Sequence, residues 1–121
     1  MGNKKLVAVL DDLFFTVKIN ESAKRAGMPV EFAKSEQDAM EKAKTRPAVM
    51  ILDLNCRGID PLDLIRKLKS DAATKDVALI GYLSHVQGEL KQQAHEAGCD
   101  MVLARSAFSQ SLPQILKRHA A

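Results

Sequence analysis

Ala48-Val-Met-Ile-Leu-Asp-Leu-Asn55 decides how the rest of the chain is read. Its first five residues form an unbroken apolar run after Arg46-Pro47, long enough for a strand covered on both faces and too short for a buried helix. The run then stops at a carboxylate, Asp53. In open α/β sheets the loops leaving the carboxyl ends of central strands open a crevice, and ligands bind there. Asp53 is therefore the first candidate for chemistry.

On the N-terminal side, Ser35 with Asp38 three residues on is a weaker relative of the capping box. It opens a helix that buries Ala39, Met40 and Ala43 and ends before Pro47. Val30 to Ala33 is a short strand after Pro29. Leu6 to Leu10 is a buried strand ending on Asp11-Asp12, and Phe15, Ile19, Ala23 and Ala26 mark one face of a helix closed by Gly27. On the C-terminal side, Asp60-Pro61 is a cap residue followed by proline at the first helical position, with Leu64, Ile65 and Leu68 as the core stripe. Val77 to Leu83 is a fourth strand ending at Ser84. Leu90, Ala94 and Ala97 mark a helix closed by Gly98, Met101 to Ala104 is a fifth strand ending at Arg105, and Phe108, Leu112, Ile115 and Leu116 line a last helix. Five strands alternating with five helices predict a doubly wound parallel sheet covered on both faces.

The 121 residues fit one domain, 1–121, with a real core. A composition 46% hydrophobic and 27% charged is ordinary for a globular chain. The formal charge of +3 has both signs interspersed and no basic arm, which argues against direct nucleic-acid binding. Cys56 and Cys99, without a signal-peptide pattern upstream, fit free thiols in a reducing, cytoplasmic setting. The apolar runs fall far short of the roughly 20 residues that cross a bilayer, and no membrane role is expected.

The polar residues fall at the strand ends: Asp11 and Asp12 after the first, Asp53 on the third, Ser84 after the fourth, Arg105 after the fifth. With strand order 2-1-3-4-5, the first and third strands are neighbours at the switch point, so the three aspartates converge. Converging carboxylates raise one another's pKa unless a cation neutralises them. Oxygen ligands, with the backbone carbonyl of Asn55 available, suit a hard ion such as Mg²⁺, which favours phosphate as a partner.

Leu6-Val-Ala-Val-Leu-Asp-Asp12, the loop Asp53-Leu-Asn-Cys-Arg-Gly-Ile-Asp60-Pro-Leu and the stretch from Ala97-Gly98 to Arg105 together resemble the receiver domains of two-component response regulators, a flavodoxin-like (βα)5 family. The resemblance covers essentially the whole chain. It implies that Asp53 is the phosphoacceptor, that Asp11, Asp12, Asp53 and the Asn55 carbonyl hold Mg²⁺, that Ser84 is the switch hydroxyl, and that Arg105 stands where the family has a lysine. It implies a sensor histidine kinase or phosphotransfer protein upstream and an effector protein downstream, and it leaves room for a homodimer through the last two strands and helices. No output domain is expected within these residues, and no enzymatic activity beyond self-catalysed phosphotransfer onto Asp53.

The chain departs from the family at several points. Arg105 replaces a compact ammonium with a planar fork, Ser106 follows it where proline is usual, and Val102 occupies the place of the aromatic coupled to the switch hydroxyl. Arg57 and Pro61 replace the usual proline and glycine after the phosphoacceptor. Tyr82 shares a strand face with Ser84 by period two. Arg105 is expected to pair with Asp53 at rest. Asp60 reads as a helix cap and nothing more, Cys56 as a packed thiol; His85, His95 and His119 lack common metal-ligand spacing, with His85 closest to the site. Two functions follow from these residues: a phosphoacceptor receiver in phosphorelay signalling, or a phosphorylation-independent pseudo-receiver acting as an interaction module. A flavodoxin-like cofactor binder fits less well, because the first strand's loop carries acids where a phosphate cradle wants glycines.

Overall fold

The apolar run after Pro47 forms strand β3 (Val49–Asp53), with all five residues buried. The computed structural model describes residues 5–84 and 88–120. Around β3 lie β1 (Leu6–Val9), β2 (Val30–Ala33), β4 (Ala78–Leu83) and β5 (Met101–Ala104), in the spatial order β2-β1-β3-β4-β5 and parallel throughout. The intervening helices are α1 (Leu13–Ala26), α2 (Glu36–Ala43), α3 (Pro61–Ser70), α4 (Gly88–Ala97) and α5 (Arg105–Ala120). This is the doubly wound architecture that the alternation of patterns predicts.

Because successive strand residues point to opposite faces, the sheet separates two cores. On one face Met50, Leu52 and Leu79 pack with Leu64, Ile65 and Leu68 of α3 and Ala94 of α4. On the other, Val49, Ile51 and Ile80 pack with Phe15 and Ile19 of α1 and with Phe108, Leu112 and Leu116 of α5. The same alternation puts Asp53 and Tyr82, which are register neighbours on β3 and β4, on the face that α1 and α5 cover.

Local signals set the helix ends. The Ser35 hydroxyl accepts from the Asp38 amide at 3.0 Å, and Asp60 accepts from the Asp63 amide at 3.2 Å with Pro61 in the first turn. Gly27 ends α1 at φ 72°, a left-handed conformation that a side chain would oppose. The fourth strand starts one residue later than the apolar run suggests, because the Val77 amide donates to the Thr74 carbonyl in the preceding turn. Arg46 adopts φ 57° just before Pro47, a left-handed turn with no glycine to announce it.

Gly81 of β4 lies against the loop that leaves β3: a Cβ added there would sit 3.0 Å from Leu54 Cδ1 and 3.1 Å from its Cγ. Gly81→Val therefore overpacks the contact that seats the segment after Asp53. It is expected to destabilise the protein by about 1–3 kcal/mol in urea denaturation.

Candidate functional site

The strand ends converge as the topology requires. β1 leads into Asp11 and the α1 cap residue Asp12, β3 ends on Asp53, β4 leads into Ser84, and β5 runs directly into α5 at Arg105. Asp11, Asp12, Asp53, Asn55, Ser84 and Arg105 all line one cleft of about 440 Å³, joined by Arg57 and Tyr82. Every site residue expected from the sequence is thus on this cleft. Cys56 is not among its lining residues, and burial pushes its thiol up to about 11, with Asp11 and Asp53 adding to the effect, so it stays protonated as a packed thiol at neutral pH. His85 lies outside the described residues.

Asp53 is 8% exposed, and its Oδ1 accepts from the Asn55 amide at 2.8 Å. Burial raises its pKa. The Asn55 hydrogen bond opposes that rise, the charges of Asp11 and Asp12 add to it, and Arg105 opposes it least of these. Asn55 also bridges two strand tips: its side-chain Oδ1 accepts from the Ser84 amide at 2.8 Å and from the Ser84 hydroxyl at 3.0 Å. The Ser84 hydroxyl is thus tied to the loop that begins at Asp53.

The expected resting pair between Arg105 and Asp53 is not what forms. An Nη of Arg105 donates to Asp12 Oδ2 at 2.6 Å, and the guanidinium lies over the Phe15 ring, 4.7 Å from its centroid. The planar fork explains the choice, since it can stack on an aromatic face while one edge meets a carboxylate. A compact ammonium gains less from that ring. Asp12 is committed at both oxygens, because its Oδ1 caps α1 by accepting from the Phe14 amide at 2.9 Å and the Phe15 amide at 3.4 Å.

The donor set, three carboxylates and a backbone carbonyl, has the hard-oxygen chemistry that Mg²⁺ takes. Its arrangement is closed by Arg105, and among the described residues no three acidic, histidine or cysteine groups are spaced as a ready cation cage. A cation here competes with the guanidinium for Asp12.

For three residues the sequence reading missed the role found here. Phe15 was legible as a core residue of α1 but not as the platform under Arg105. Asn55 was expected to offer its main-chain carbonyl, whereas its side chain holds Ser84. Tyr82 stacks on Phe108 at 4.6 Å and 8° and lies 4.9 Å from Phe15, closing the floor of the cleft. Tyr82 and Val102 lie in opposite cores, Val102 packing with Cys99 and Ala94.

Because the folded protein raises the Asp53 pKa above its ordinary value of 3.8, ionised Asp53 works against folding. Below that value the group is protonated in both states and contributes its full stability. The contribution is lost as pH rises through the folded pKa. Asp53→Asn is therefore expected to raise Tm by a few degrees at pH 7, and the gain should vanish as the pH falls to about 4; thermal melts of both proteins across that range check it.

No family model matches the chain. The acid tolerance regulatory proteins ActR of Sinorhizobium medicae and Rhizobium meliloti are each 33% identical over 84 residues, which is 66% of this chain and 42% of theirs. The chain thus spans less than half the length of these curated relatives. In structure it is similar to the chemotaxis response regulator CheY4 of Vibrio cholerae, with 22% identity and a TM-score of 0.82 over 96% of this chain and 98% of that one. It is equally similar to the receiver domain of the sensor histidine kinase PA1611 from Pseudomonas aeruginosa, a structure with a magnesium ion in its active-site cleft, at 20% identity and a TM-score of 0.82 over 99% and 98% of the two chains. With its strand order, and with its strand tips gathered on one acidic cleft, the chain has the fold of a response-regulator receiver domain and resembles that family along its length.

Proposed function

We propose that the chain is a phosphoacceptor receiver in a two-component phosphorelay, taking a phosphoryl group on Asp53. The observation that carries this reading is the position of Asp53: a mostly buried carboxylate at the tip of the central strand, at the bottom of a cleft that also holds two acids, a hydroxyl and a guanidinium. The Asn55 amide fixes Asp53 Oδ1, which leaves Oδ2 as the nucleophile. Oδ2 attacks phosphorus, and the bond from phosphorus to the donor breaks. With phosphohistidine the imidazole nitrogen leaves with the electron pair; with acetyl phosphate the leaving group is acetate.

Asp11, Asp12, Asp53 and the Asn55 carbonyl would hold Mg²⁺, and when bound it supplies positive charge against the phosphoryl oxygens. Arg105, released from Asp12, provides a second cation to the same oxygens from the tip of β5. Ser84 stands ready with a hydroxyl donor once it leaves Asn55. After the cap residue Asp12, α1 exposes Leu13, Phe14 and Val17, an apolar patch that suits docking of the kinase or phosphotransfer protein. Among the described residues no helix is long and apolar enough to cross a membrane.

A second reading, a phosphorylation-independent interaction module of the same fold, draws on the Arg105–Asp12 pair, which fills the place a cation needs. Incubation with acetyl phosphate and Mg²⁺ separates the two. The receiver reading expects a one-phosphoryl mass gain that is base-labile and missing from Asp53→Asn. Unmodified protein under excess donor would favour the interaction module.

The Arg105–Asp12 pair adds its own expectation. Arg105→Lys gives up the stack on Phe15 and loosens the hold on Asp12, so Mg²⁺ should bind severalfold more tightly by calorimetric titration. An unchanged affinity would mean that the pair does not gate the cation.

A further inference from the structure

The Tyr82 hydroxyl has no role in the receiver reading, and its setting is costly. The residue is 2% exposed, and its oxygen is the one buried side-chain polar atom without a hydrogen-bond partner among the described residues. A buried hydroxyl left unmade works against folding, and phenylalanine would supply the same ring to the stack without it.

The ring is held firmly. Phe108 lies parallel to it at 4.6 Å and Phe15 is tilted at 4.9 Å, so the hydroxyl's position is fixed by packing from α5 and α1. Tyr82 is also the register neighbour of Asp53 in the parallel ladder, on the same sheet face, and it lines the acidic cleft. Burial, and then the charges of Asp53 and Asp12, hold the phenol well above its ordinary range. It therefore stays protonated and keeps a donor proton to offer, on a residue that lines the same cleft as Asp53. Donors fixed before charge arrives are worth most in such a water-poor setting.

We propose that the Tyr82 hydroxyl donates a hydrogen bond to the phosphoryl group carried by Asp53, a role that rests on Asp53 being the acceptor. It supplements Ser84 from the floor of the cleft, and it gives the unpartnered oxygen its function. The resting protein bears the unmade bond, and the modified protein makes it.

The test compares the parent with Tyr82→Phe, which keeps the ring stack and removes only the hydroxyl. Beryllofluoride with Mg²⁺ serves as the phosphoryl stand-in, followed by fluorine NMR, and acetyl phosphate serves as the donor. Tyr82→Phe should bind beryllofluoride roughly tenfold more weakly and lose its aspartyl phosphate faster, while the melting temperature of the unmodified protein rises. These opposite signs distinguish a ligand donor from a structural hydroxyl, whose removal would lower the melting temperature. If the parent responds to beryllofluoride and the variant matches it, or if the variant melts lower, this inference is overturned while the acceptor reading stands. If the parent itself takes neither probe, the acceptor reading fails and this inference with it.

Discussion

A carboxylate buried at the end of an apolar strand needs compensation, and much of this site supplies it. Asp53 receives one main-chain donor from Asn55, but Asp11 and Asp12 add like charge across the same cleft. Of the two arginines that line the cleft, Arg105 is spent on Asp12. The resting site therefore keeps a surplus of negative charge around Asp53, and a cation entering the cleft meets an electrostatic demand that the protein has left unmet. A half-buried, solvent-reached ion pair of this kind contributes little to stability. Its weight here lies in deciding which carboxylates are free.

The two faces of the sheet divide the labour. The face covered by α2, α3 and α4 is built from aliphatic side chains and supports the loop after Asp53 through Leu54 and Ile59. The face covered by α1 and α5 carries Phe15, Tyr82 and Phe108 in mutual contact directly beneath the cleft. Aromatic rings are rigid and few torsions place them, so they hold charged partners above them in defined positions. Arg105 rests on this layer, and the Tyr82 hydroxyl is buried within it.

The architecture was legible because short apolar runs alternate with period-3.6 patterns along the chain, and because Asp60-Pro61, Ser35 and Gly27 punctuate the helices in the expected manner. Even Pro113, inside α5, does not break that helix, since the stripe of Phe108, Leu112, Ile115 and Leu116 is buried along it. That the polar residues at the strand ends share one cleft was legible too, because strand ends in a parallel sheet must meet. The partners within the site were not. Whether Arg105 reaches Asp53 or Asp12 depends on a ring contributed by α1, ninety positions earlier in the chain by rough count, and no local pattern encodes a contact between side chains that distant. The bridge from Asn55 to Ser84 is hidden for the same reason. Asp12 as a helix cap, by contrast, stands immediately before Leu13 and was open to a closer reading.

Strand β5 ends at Ala104 and α5 begins at Arg105, with no connecting residue between them. The Cα of Arg105 is consequently anchored from both sides, by the ladder to β4 and by the first turn of a helix sixteen residues long. A residue so placed cannot travel on a flexible tether. Any exchange of Arg105 between Asp12 and an incoming anion must be a pivot about its own side-chain torsions, a crane on a fixed footing. Its length, four rotatable bonds carrying a flat head, then sets the radius of the motion, while the mainframe of the sheet stays still.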